Sequence, residues 1–226
     1  MPTSSNFPFA AVLWDMDGTL IDSEPIWIEE ETRLMNSLGV AWGDEDSRHC
    51  LGGPAERVDE YMRARAGNVH EPMYLSDLLT LEMLRRLKEE TRFMSGAGEL
   101  LSEFYQAQIP MALVTASTRA IMDAVVLGIG SHHFHSAISC DDVKFAKPDP
   151  EGYLLAAERI GVDIKSCLII EDSVPGMTAA IGSGAFVLGI PHLVELPKSE
   201  RVVHVDSLAG QSRSTLAALF SEIITP

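Results

Sequence analysis

Four short apolar runs stand out along the chain: Ala10 to Trp14, Met111 to Thr115, Cys167 to Ile170 and Ala185 to Leu188. Each lacks the polar alternation of a half-exposed strand and is followed by polar or glycine-rich residues, the pattern of strands buried on both faces of a parallel sheet. Between them, Thr118 to Leu127, Pro150 to Ile160 and Val174 to Ser183 place apolar residues at helical spacing. Strands alternating with helices in this way predict an α/β, doubly wound sheet. Weaker apolar stretches at Ser136 to Ser139 and Val202 to Val205 predict further strands, and Ser214 to Ile223 a closing helix.

The first two strong runs lie about a hundred residues apart, much further than a strand–helix connection requires, and most of the interval reads as helix. Ser23 as N-cap, Pro25 in the first turn and Gly39 as the stop predict a helix over Glu24 to Leu38. Further helices are predicted over Ala55 to Arg65 and Pro72 to Glu90. Ser95-Gly96-Ala97-Gly98 reads as the return hinge, and Glu99 to Ala107 as a helix of the core. The expected organisation is a Rossmann-like α/β core of residues 1–22 and 96–226, with a small helical bundle of residues 23–95 inserted in it.

Composition narrows the partners. With 17 Lys+Arg against 33 Asp+Glu the net charge is −16, and 46% of the residues are hydrophobic. That apolar share supports a folded core, and the acidic excess argues against nucleic acid and anionic membrane surfaces, which are bound through basic patches. The longest stretch without a formal charge, Ser173 to Val194, is broken by Pro175, Gly182, Gly184, Gly189 and Pro191 and predicts no membrane span. The N-terminal apolar run is too short for a secretory leader. Cys50, Cys140 and Cys167 are odd in number and widely spaced, so neither a disulfide framework nor a cysteine zinc site is expected, and the chain reads as a reduced, cytoplasmic protein, monomeric or weakly dimeric.

In an open α/β sheet, ligands bind beyond the carboxyl ends of the strands. The residues following the apolar runs are Asp15-Met16-Asp17-Gly18-Thr19, Thr115-Ala116-Ser117 and Glu171-Asp172-Ser173, with Lys147-Pro148-Asp149-Pro150 ahead of a predicted helix. Carboxylates converging there repel one another unless a cation sits among them, and a set of hard oxygen donors suits Mg²⁺. Taken singly, each motif has an ordinary reading. Asp-Gly is a turn pair, Thr115 a strand-end hydroxyl, Lys147-Pro148 a loop, and Glu171-Asp172 a helix start favoured by the dipole. Their joint order is what points to chemistry.

With D-x-D-G-T, a strand-ending Thr, Lys-Pro and an acidic pair in that order, the chain resembles the haloacid dehalogenase superfamily. The likeness runs from Ala10 to about Leu188 and is to the branch of sugar-phosphate phosphatases and beta-phosphoglucomutases with a helical cap. The resemblance implies an Mg²⁺-dependent phosphomonoesterase acting on a small phosphorylated sugar or sugar alcohol through an aspartyl-phosphate. It implies Asp15 as nucleophile, Asp17 as general acid and base, and a metal held by Asp15, the Asp17 carbonyl and Asp172, with Glu171 acting through a metal-bound water. It further implies Lys147 as the charge-neutralising group and Thr115 as a hydroxyl donor to a phosphoryl oxygen, with Gly18, Thr19, Ala116 and Ser117 around the phosphate.

Specificity in that branch is implied to lie in the cap. Asp22-Ser23-Glu24-Pro25-Ile26-Trp27 is similar to the D-S-E-P-L-W stretch of sugar-phosphate phosphatases, and Trp27 either stacks on a sugar face or fills the cap interior. In the cap loop Cys50-Leu51-Gly52-Gly53-Pro54, the resemblance implies Gly52 as a substrate contact. Beta-phosphoglucomutases carry His where Trp27 stands and an Arg shortly after the loop glycine. The His is absent and Arg57 leaves the second marker open, so hydrolysis is expected, with a mutase as the alternative. Arg119 is a further candidate substrate contact. His132-His133-Phe134-His135 is read as a turn rather than as a second metal site.

Overall fold

The computed structural model describes residues 7–50, 55–191 and 195–224. The chain divides into two compact units, one of Met1–Asp22 with Arg92–Pro226 and one of Ser23–Thr91. The strands are β1 (Ala11–Trp14), β2 (Met111–Val114), β3 (Ser136–Ile138), β4 (Cys167–Glu171), β5 (Phe186–Gly189) and β6 (Val202–His204). Helices α1 (Glu24–Ser37), α2 (Asp44–Cys50), α3 (Ala55–Arg65) and α4 (Tyr74–Glu90) form the inserted unit. The core carries α5 (Ala97–Gln106), α6 (Arg119–Ile129), α7 (Glu151–Arg159), α8 (Val174–Ser183), α9 (Arg213–Leu219) and α10 (Ser221–Ile224).

All six strands pair in parallel in the order β3-β2-β1-β4-β5-β6, so the strand order reverses direction at β1/β4, where such sheets bind ligands. Every residue of β1, β2, β4 and β5 is buried, which is why those strands read as unbroken apolar runs, while the edge strands β3 and β6 are only partly covered. Ala11 and Leu13 belong to a buried cluster with Tyr153, Ala156 and Ala157 of α7 and Met177, Ala179 and Ala180 of α8. On the other side Trp14 meets Phe104 of α5 at 6.1 Å between ring centroids, and Phe9 meets Phe220 at 5.2 Å. Burying such rings stabilises the layer by about 1.5–3 kcal/mol each. The alternation predicted from the sequence is thus built as a Rossmann-like sheet.

The return from the insert comes earlier than Gly96. Asp22 N–H donates to the Arg92 carbonyl at 2.9 Å, Met94 N–H donates to that of Leu20 at 3.0 Å, and Ile21 bridges Phe93. This backbone pairing draws Arg92 to Ser95 into the core, and composition carries no trace of it.

In the inserted unit, α1 buries Ile26, Glu30, Glu31 and Met35, and α4 buries Leu75, Leu79, Met83 and Leu87. Arg86 of α4 pairs with Glu30 at 2.8 Å and with Glu29 at 2.9 Å, joining the two helices. Ser23 precedes α1 but makes no side-chain capping bond. Helix α2 was not predicted, because Asp-Glu-Asp-Ser-Arg-His-Cys has no apolar periodicity. Its Asp46 is held by Gly43 N–H at 3.0 Å, the Tyr61 hydroxyl at 2.7 Å and Arg65 at 3.0 Å. Among the described residues, no helix is long and apolar enough to cross a membrane.

Candidate active site

Asp15 follows β1 directly, and its N–H donates to the Ile170 carbonyl of β4 at 3.0 Å. The register that pairs Trp14 with Ile170 therefore sets Asp15 beside Glu171, the last residue of β4. Lys147, in the loop before α7 and joined to Pro148 by a cis peptide bond, brings its Nζ to 2.5 Å from Asp15 Oδ1, 2.6 Å from Glu171 Oε1 and 3.0 Å from the Val114 carbonyl. One ammonium thus ties together the ends of β1, β2 and β4.

Asp15, Glu171 and Asp172 each offer an oxygen within 4.8 Å of the others. Three carboxylates against one lysine leave an excess of negative charge in a buried place. Burial, reinforced by Glu171 and Asp172, holds the Asp15 carboxyl well above the usual carboxylate range despite the opposing pull of Lys147. Lys147 moves the other way. Burial favours its neutral form, but Asp15 and Glu171 outweigh burial and raise the ammonium above the ordinary lysine value.

Glu171 has no exposed surface and both its oxygens are engaged. Oε1 accepts from Lys147 and from the Tyr153 hydroxyl at 2.8 Å; Oε2 accepts from Asp172 N–H at 3.0 Å, Ser173 N–H at 3.2 Å and the Ser173 hydroxyl at 3.1 Å. These bonds tie the carboxylate to Lys147 and to the start of α8, so it serves protein donors rather than presenting a lone pair to a ligand. The carboxylates that fit a hard divalent cation are those of Asp15 and Asp172.

Thr19 was expected near the phosphate, but it is fully buried and donates its hydroxyl to Asp172 Oδ1 at 2.9 Å. It orients the Asp172 carboxylate. Gly18, at φ +85°, turns the chain directly against the Asp172 carboxylate, where any side chain would collide with it. Thr115 Oγ1 accepts from Ser117 N–H at 2.9 Å, which leaves its own proton to donate. The Ser117 hydroxyl donates to Asp17 Oδ2 at 2.8 Å, fixing that carboxylate across two strand ends. Ala116 is exposed in the same loop.

Arg119 is not brought to this cluster. Its guanidinium pairs with Asp142 and its N–H donates to Asp141 Oδ2 at 2.7 Å, so it anchors the start of α6 to the turn after β3. Trp27 lies half-buried on α1 of the inserted unit, and Gly52 falls outside the described residues. His132 and His133 occupy one helical turn with their rings tilted at 37° and centroids 4.1 Å apart, and Tyr105 lies 5.1 Å from each. Among the described residues, Asp15, Glu171 and Asp172 are the one group of three or more carboxylate, imidazole or thiol side chains close enough together to hold a metal ion. Sequence reasoning did not single out Tyr153, which reads as an apolar position of α7, or Gly176, whose role depends on a carboxylate arriving from another element.

The switch point of the parallel sheet gathers three carboxylates, a lysine and a strand-end hydroxyl, a set of groups suited to handling a phosphoryl group. The family model of the haloacid dehalogenase-like hydrolases matches residues 9–184, and the chain belongs to that family. It is 30% identical to the validoxylamine A 7'-phosphate phosphatase of Streptomyces hygroscopicus subsp. limoneus over 80% of this chain and 85% of that one. It is 27% identical to the fructose-1-phosphate phosphatase YqaB of Escherichia coli, over 78% and 93% respectively. The solved structure of CbbY from Rhodobacter sphaeroides in complex with phosphate superposes with a TM-score of 0.74 at 26% identity, covering 93% of this chain and 99% of that chain.

Proposed function

We propose that the chain is a divalent-metal-dependent phosphomonoesterase for a small phosphorylated sugar or sugar alcohol, working through an aspartyl-phosphate on Asp15. The observation that carries this reading is the Asp15 carboxylate held at 2.5 Å by Lys147, with the Asp172 carboxylate in the same cluster. An Asp15 oxygen bonds to phosphorus as the ester P–O bond breaks, and Asp17 gives its proton to the departing alcohol. In the second displacement Asp17 takes a proton from water, whose oxygen bonds to phosphorus and releases phosphate and free Asp15. Ser117 orients Asp17 for both transfers, and Thr115 and Lys147 face the charge on the transferring group. Asp15, Asp172 and the Asp17 carbonyl would hold the cation, read as Mg²⁺, which supplies positive charge against the repulsion between carboxylate and phosphate dianion. The phosphatase relatives support the substrate class.

The test is phosphate release from hexose, deoxyhexose, pentose and hexitol phosphates with Mg²⁺ and with EDTA, on the wild type and Asp15→Asn. Metal-dependent release that the substitution abolishes is expected. Unchanged release from Asp15→Asn would remove Asp15 as nucleophile. Isomerisation of beta-glucose-1-phosphate in the presence of a bisphosphate, without release, would instead show the mutase.

A further inference from the structure

Tyr153 lies on the first turns of α7, six positions beyond Lys147, and only 1% of it is exposed. It touches the charged cluster in two ways. Its hydroxyl donates to Glu171 Oε1 at 2.8 Å, the same oxygen that accepts from Lys147 at 2.6 Å. Its ring lies beneath the ammonium, with Nζ 4.9 Å from the centroid, within the range where a ring face attracts a cation. The ring is fixed in turn by the buried cluster it shares with Val114, Ile138 and Met177. A long lysine side chain has many rotamers, and one that must reach both Asp15 and Glu171 is restricted from below by the ring and from the side by the carboxylate the hydroxyl holds.

We infer that Tyr153 is a positioning residue for the phosphoryl transfer: its ring and its hydroxyl together fix the Lys147 ammonium against the Asp15 carboxylate. The inference rests on the hydrolytic reading of the site. Tyr153 reaches neither substrate nor metal in this assignment. It acts through Lys147 and Glu171, so it matters most when charge moves onto the transferring phosphoryl group, and less when phosphate merely rests in the site.

The experiment compares wild type, Tyr153→Phe and Tyr153→Leu with Mg²⁺ present, measuring kcat and the inhibition constants of orthovanadate, a mimic of the five-coordinate transition state, and of inorganic phosphate. An inhibition constant does not depend on the fraction of enzyme that is folded, so partial unfolding leaves the comparison intact. Expected are a roughly fivefold or greater weakening of vanadate in Tyr153→Phe, a larger one in Tyr153→Leu, and phosphate inhibition within about twofold of wild type throughout. A matching fall in kcat should accompany the vanadate effect. Vanadate inhibition unchanged in both variants would overturn the assignment, whether or not kcat falls, and so would equal weakening of vanadate and phosphate. Failure of the hydrolytic reading is separately visible, since the wild type itself would then release no phosphate.

Discussion

Gly176 and Gly182 sit on the same helix, α8, and intrinsic propensity treats them alike: replacing either glycine by alanine should stabilise the helix by about 1 kcal/mol. The structure separates them. A methyl group on Gly176 would fall inside the Glu171 carboxylate, whereas one on Gly182 meets only Pro150, at 3.7 Å, an ordinary contact. Gly176→Ala must therefore displace a fully buried carboxylate that accepts hydrogen bonds from Lys147, Tyr153, Asp172 and Ser173. Breaking a buried, paired charge of this kind costs about 3–5 kcal/mol. Subtracting the propensity gain leaves a net loss of about 2–4 kcal/mol, and for a chain of this size about 5–15 °C in melting temperature. Gly182→Ala should hold or raise the melting point by a few degrees, about 2–4 °C per kcal/mol. The assay is thermal and urea unfolding followed by far-ultraviolet circular dichroism, with phosphate release measured on the same samples. Gly176→Ala matching Gly182→Ala in stability would refute the argument, because it would show that the carboxylate network relaxes at no cost.

Two further predictions concern the inserted unit. Asp59 of α3, 1% exposed, accepts from Met73 N–H at 2.8 Å and Ser76 N–H at 3.2 Å at the start of α4 and pairs with Arg63 at 2.7 Å. Asp59→Ala should destabilise this unit by about 2–4 kcal/mol, visible as a lower urea midpoint, whereas loss of only a surface ion pair would cost under about 1 kcal/mol. Burial pushes the Glu31 carboxyl from 4.5 up to about 7, and among the described residues its Oε2 has no hydrogen-bond partner. The unfolded chain therefore ionises Glu31 at lower pH than the folded one, so the contribution of Glu31 to stability is fully present below pH 4.5 and is lost as pH rises through 7. Glu31→Gln should flatten that decline, retaining on the order of 1–3 kcal/mol at pH 8, and an unaltered pH dependence of the urea midpoint would contradict it.

The sheet was legible in the sequence because strands buried on both faces must be apolar throughout, and runs such as Cys167 to Ile170 have no other economical reading. The inserted helices with an apolar stripe, α1, α3 and α4, were legible for the same reason. Helix α2 was not, since its stability comes from Asp46 gathering donors from Gly43, Tyr61 and Arg65, partners that sequence periodicity does not register. At the candidate site, the acidic and hydroxyl residues that end strands were readable because a parallel sheet collects its carboxyl ends at one edge, and their chemistry is local to each motif. What each side chain does there depended on its neighbours in space. Thr19 donates to Asp172, Arg119 pairs with Asp142, and Glu171 is the counter-charge of Lys147. Gly176 and Tyr153 acquired meaning only when α8 and α7 closed on that carboxylate. Residue type and order determined the fold and the candidate site groups through burial and strand geometry. Tertiary structure decided the partner of each charge, because hydrogen bonds and ion pairs act over a few ångströms and join residues far apart in the chain.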